Sequence, residues 1–128
     1  MLPFELVEYK DRVRRTLESM DQLGIDTLLV TNPANMCWLT GYDGWSFYVH
    51  QMVIVSAELD EPLWVGRLMD ANAARVTTYL KPESIYGYPD KYVQSTERHP
   101  MNYVSDLLKE KGLAGGNVGV EMETYYFT

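Results

Sequence analysis

Between residues 6 and 23 the apolar side chains Leu6, Tyr9, Val13, Leu17, Met20 and Leu23 recur at steps of three and four. That spacing places them on one stripe of a helix, with Lys10, Arg12, Arg14, Arg15 and Glu18 largely outside it. Gly24 follows where a left-handed cap ends a helix. The run Thr27-Leu28-Leu29-Val30 is short and almost wholly apolar, the pattern of a strand covered on both faces. Asn32-Pro33 then pairs a capping side chain with a proline at the first helical position and opens a short helix through Trp38. Gly41 and Gly44 bracket a turn.

Residues 50–55 form a second strand, and Asp60-Glu61-Pro62 turns the chain into a third at residues 63–65. The alanine-rich stretch 70–76 is helical, and residues 84–88 are strand-like, stopping at Pro89-Asp90. Pro100 begins a helix in which Tyr103, Val104, Leu107, Leu108 and Lys111 keep the helical period, and Gly112 closes it. Gly115-Gly116-Asn117 turns the chain into a last strand at residues 118–122. Helices alternating with apolar strands predict an α/β fold, a three-layer sandwich with helices on both faces of the sheet. The hairpin-like pair across residues 60–62 makes that sheet mixed, of about five or six strands. No internal repeat and no low-complexity segment interrupts the pattern.

At 128 residues the chain is the size of one domain and long enough to bury a core. Eleven Lys and Arg against eighteen Asp and Glu give a formal net charge of -7. Such a surface has no broad field to attract phosphate backbones or anionic lipid, which argues against nucleic acid and membrane as partners. Cys37 is the single cysteine, so no internal disulfide can form, and a reducing cytoplasm is the expected compartment. The first residues lack the basic and apolar regions of a signal peptide, and no apolar stretch reaches the length of a bilayer span. A soluble protein is expected. Tyr125, Tyr126 and Phe127 would leave aromatic rings near a terminus unless they fold back onto the core. We take the favoured expectation to be a chain cut at a domain boundary.

Metal hydrolysis needs several Asp, Glu and His side chains converging on an ion. His50 and His99 stand far apart without carboxylates at ligand spacing, and both read first as structural or loop residues. Glu121 and Glu123 alternate along a strand as a solvated edge would. Cys37, between Met36 and Trp38 with no base beside it, reads as a small buried hydrophobe. Gly112, Gly115 and Gly116 precede a strand, so they do not form a phosphate-binding loop, and no serine sits in a nucleophile elbow. No complete active site can be assembled, and no cofactor is expected in this domain.

The richest segment is residues 40–50, which packs Tyr42, Asp43, Trp45, Phe47, Tyr48 and His50 between and beyond two glycines. Taken singly, Trp45, Phe47 and Tyr48 read as core beneath the sheet. Taken together, the concentration of aromatic and polar groups reads as a binding surface, with Tyr42, Asp43, Trp45, Tyr48 and His50 as candidate substrate contacts.

Gly24-Ile25-Asp26-Thr27-Leu28-Leu29-Val30, followed by Asn35-Met36-Cys37-Trp38-Leu39-Thr40-Gly41, resembles the amino-terminal domain of the creatinase, prolidase and aminopeptidase P hydrolases. The resemblance runs through the whole chain, residues 1–128. Residues 42–51 look most like the ectoine hydrolases of that group. The resemblance implies a carboxy-terminal catalytic domain absent from this chain, in most members with a metal pair held by Asp, Asp, His, Glu and Glu. Creatinase-like members work without metal, so a divalent metal pair in the full-length enzyme stays open. It further implies homodimers in which this domain helps cover the partner's active site. The function implied is a substrate-capping and dimerisation domain of a C–N bond hydrolase acting on an ectoine-like amino-acid derivative or an Xaa-Pro peptide, inactive alone. The alternative is a free-standing α/β ligand-binding or interaction module with no catalytic role.

Overall fold

A computed structural model of the chain describes residues 4–42, 51–89 and 100–120. The elements are α1 (Leu6–Leu23), β1 (Thr27–Val30), α2 (Pro33–Thr40), β2 (Met52–Ser56), β3 (Leu63–Arg67), α3 (Ala71–Thr77), β4 (Ile85–Tyr88), α4 (Pro100–Glu110) and β5 (Val118–Val120). Short 3₁₀ turns, Leu68–Asp70 and Pro82–Ser84, precede α3 and β4.

The helix ends follow from local chemistry. Gly24 closes α1 at φ 73° and Gly41 closes α2 at φ 87°, a backbone region that costs other residues a clash at Cβ. Asn32 Oδ1 accepts from the backbone N–H of Ala34 at 2.9 Å, satisfying a donor in the first turn of α2.

The strands form one sheet in the order β4-β3-β2-β1-β5. β2 runs antiparallel to both β1 and β3, while β3 pairs parallel with β4 and β1 parallel with β5. Thus β1, β3, β4 and β5 point the same way and only β2 is reversed. This is the expected mixed, three-layer α/β sandwich. Alternation along the strands splits the core. Val30, Val53, Val55, Trp64 and Ile85 join Met20, Met36, Leu39, Ala71 and Ala74 from α1, α2 and α3 on one face. Leu29, Met52, Ile54, Leu63, Val65 and Tyr88 meet Val104, Leu107 and Leu108 of α4 on the other. At the far edge, Asp26 Oδ2 accepts from the backbone N–H of Asn117 at 2.8 Å, fastening β5 to β1.

Two details of the expected pattern change. Arg12 does not lie outside the stripe of α1: it is buried, whereas Leu6 and Leu23 at the two ends are exposed, and Val13 and Leu17 are only partly covered. An 18-residue helix is about 27 Å long and overhangs strands of about 17 Å, which leaves its end residues less covered than its middle. Cys37 is half-buried, because α2 turns Met36, Leu39 and Thr40 inward and Cys37 to the side.

Gly66 of β3 and Gly87 of β4 are register partners. A Cβ on Gly87 would come within 2.7 Å of Leu68 Cα, a backbone atom of the 3₁₀ turn folded across the strand end. Gly87→Ala is therefore expected to cost about 1–3 kcal/mol, measured by urea titration. A loss below about 0.5 kcal/mol would show that the turn moves aside freely.

Candidate functional site

Because four strands share one direction, their carboxyl ends lie along a single edge, with the start of β2 between them. In open α/β sheets that edge is where ligands gather. Gln51 stands at this edge, immediately before β2 begins at Met52. Tyr42 and Gln51 meet: the Tyr42 hydroxyl donates to Gln51 Oε1 at 2.8 Å, and both residues are buried. The two roots of the aromatic segment are thus tied side by side.

The Tyr42 ring packs against Trp64, centroids 5.3 Å apart and planes tilted by 57°. Thr40 Oγ1 accepts from the Tyr42 backbone N–H at 3.2 Å and itself donates to Met36 O at 2.8 Å. Burial, and secondarily the nearby Asp70 carboxylate, push the Tyr42 phenol up to about 12. Burial and then Asp70 also raise Tyr88, with Arg67 opposing. Both phenols are therefore neutral at ordinary pH and act through hydrogen bonds and ring surface. Gln51 Nε2 and Trp64 Nε1 are buried donors with no acceptor among the described residues.

Of the expected contacts, Tyr42 is placed, and its side chain turns into the core as the anchor of the segment. Asp43, Trp45, Tyr48 and His50 lie outside the described residues, as do His99, Glu121, Glu123 and the aromatics 125–127. Gln51, Trp64, Asp70 and Arg12 were not among the expected contacts. The signal for Gln51 was there, a single amide heading an otherwise apolar strand.

Among the described residues no group of three or more His, Cys, Asp and Glu side chains could hold a metal. These residues do not fit the ligand set of a metal pair, and no chemical step is assigned to a metal here. A cleft of about 340 Å³ opens at the opposite end of the sheet, floored by Val13, Leu17, Pro62 and Tyr79 with Lys10 and Lys81 on its rim. Asp60 and Glu61 also line it. What the described side chains can do is bind, orient and exclude water. Among them, no helix is long and apolar enough to cross a membrane.

The model of the Creatinase/Prolidase N-terminal domain family matches residues 12–128. The chain belongs to that family. It is 49% identical over 128 residues to the ectoine hydrolase of Halomonas elongata, covering 99% of this chain and 32% of that protein. It is 44% identical to an uncharacterized hydrolase/peptidase, y4tM, of Sinorhizobium fredii, covering 100% of this chain and 33% of that one. The chain thus spans about a third of the length of these relatives. Among solved structures, an Xaa-Pro aminopeptidase from Streptococcus pyogenes superposes with a TM-score of 0.68 at 19% identity, over 94% of this chain and 78% of that one. The dipeptidase PepE from Mycobacterium ulcerans reaches 0.71 at 16% identity, over 94% and 30%. At such identities the likeness is one of fold. These family members are hydrolases and peptidases, and this chain corresponds to their amino-terminal domain.

Proposed function

We propose that this chain is the substrate-capping and dimerisation domain of a C–N bond hydrolase that acts on an ectoine-like amino-acid derivative, with Xaa-Pro peptides as the other substrate class. The observation that carries the proposal is the 49% identity to an ectoine hydrolase across essentially the whole chain. The carboxyl edge supports it, since the buried Tyr42–Gln51 pair ties together there the two roots of an aromatic, polar segment. Leu68 and Met69, 54% and 63% exposed beside that edge, offer apolar surface for a neighbouring domain or subunit.

In this proposal Trp45 stacks on a delocalised cation of the substrate, Asp43 pairs with its charge, and His50 donates a hydrogen bond to its carboxylate. Tyr48 adds ring surface, and Tyr42 holds the segment's root from below. The catalytic domain, any divalent metal pair and the second subunit belong to the full-length protein, working in the cytoplasm. The test compares two proteins. Full-length protein is expected to hydrolyse ectoine or Xaa-Pro dipeptides and to run as a dimer in light scattering. The purified 128-residue chain is expected to turn over neither and to bind no stoichiometric transition metal. Turnover by the short chain that survives rigorous purification would sink the capping role, and a full-length protein inert toward both substrate classes would sink the substrate assignment.

A further inference from the structure

Arg12 is the residue whose placement departs most from its expected solvent-facing role. Its side chain is buried within α1. The guanidinium carbon lies 4.4 Å from the Phe4 ring centroid, 5.2 Å from that of Tyr9 and 5.3 Å from that of Trp38. In its own plane, Nε bonds Glu8 Oε1 at 3.2 Å and Nη1 donates to the backbone carbonyl of Trp38 at 2.9 Å. Rings on its faces and a carboxylate on Nε fix the orientation of the fork, so that Nη1 is aimed at one carbonyl of α2.

That carbonyl belongs to the last turn of α2, where carbonyls lack partners within the helix. Gly41 N–H takes Cys37 O at 2.8 Å, and the Thr40 hydroxyl donates to Met36 O at 2.8 Å. Arg12 supplies the donor for Trp38 O, the one of the three that comes from another element. A helix of 8 residues is marginal by itself and takes its place from tertiary ties. Gly41 alone separates α2 from Tyr42, whose hydroxyl holds Gln51. A force on the end of α2 is therefore transmitted over very few bonds to the carboxyl edge of the sheet.

We infer that Arg12 is a positioning residue: by holding the end of α2 from α1, it sets where Tyr42 and Gln51 meet and so tunes substrate binding at that edge. The substrate half of this inference rests on the capping function proposed above. An apolar side chain of similar length would fill the same space without the directed bond, and lysine would keep the charge without the fork.

The experiment uses Arg12→Met and Arg12→Lys, with two readouts. The first is hydrogen exchange on the 128-residue chain. In Arg12→Met the amides at 40–42 and 51–52 are expected to exchange about tenfold faster while those of β3 and α4 keep their protection. The second is kinetics of the full-length protein, where KM is expected to rise about tenfold with kcat held within about twofold. Arg12→Lys is expected to fall between wild type and Arg12→Met in both. Loss of protection spread evenly through β3 and α4 would reduce Arg12 to a stability role, and an unchanged KM in the active full-length variant would overturn the inference. If wild-type full-length protein is inert toward every substrate tried, the capping proposal fails separately and the exchange data alone decide Arg12.

Discussion

Trp64→Ala is expected to lower the unfolding free energy of the chain by about 3–5 kcal/mol, a large share of the ~5–15 kcal/mol that holds a domain together. Trp64 heads the fully buried side chains and stands on β3, an interior strand of the sheet, facing the layer built by α1, α2 and α3. The indole lies along its own strand: a Cβ on Gly66 would come within 2.5 Å of Trp64 Cη2, so the bare glycine is what leaves room for the ring. Removing the ring opens a void that Tyr42, Met36 and the small Ala71 and Ala74 cannot all move to fill. It also withdraws the surface on which Tyr42 rests, so the loss should extend to the carboxyl edge. Urea titration followed by circular dichroism measures the effect, with an unchanged slope showing that only stability moved. Trp64→Phe keeps a ring and deletes an N–H that has no acceptor among the described residues, so it should recover much of the loss. A loss under about 1 kcal/mol for the alanine variant would mean that the layer collapses freely and that the packing described here is wrong.

The contrast between Trp64 and Arg12 shows what the chain made legible and what it hid. Trp64 falls in a short, wholly apolar run after a turn, the pattern of a strand covered on both faces, which puts it inside. Two caps were equally plain: Asn32-Pro33 and Gly24 act within a few residues of themselves, so their chemistry is local and readable, whereas Gly41 was read as a turn residue and α2 runs two residues past Trp38 to meet it. Arg12 shares a helix with a stripe whose Tyr9 and Met20 are buried as read, yet periodicity gives only an angle around the axis. What lies at that angle is the end of α2 and the rings of Phe4 and Trp38, brought there by tertiary folding. The carboxyl edge was hidden for the same reason. It exists because β1 pairs with β5, a contact anchored by Asp26 and Asn117 at a separation of 91 positions. Local pattern has no access to such a pairing. Strand β2 begins at Met52, two residues after the expected start at residue 50.

Trp45→Ala in the full-length protein is expected to raise KM about tenfold to thirtyfold, with kcat little changed and the melting temperature within about 2 °C of wild type. The size follows from the proposed contact, since an aromatic face on a desolvated, delocalised cation is worth up to ~2 kcal/mol, or about thirtyfold in binding. Stability should hold because the segment's roots are fastened to each other by Tyr42 and Gln51, a bond that does not involve Trp45. A companion Asp43→Asn variant keeps the shape of the side chain and removes its charge. If Asp43 pairs with the substrate cation, this variant should weaken binding of a cationic substrate more than that of an uncharged analogue of the same shape. Kinetics and melting measured on the same Trp45→Ala preparation separate the two roles of the ring. A substrate-facing indole changes KM and leaves melting alone. A loss of about 3–5 kcal/mol in stability with normal kinetics in the surviving enzyme would instead make Trp45 a core residue and defeat its stacking role.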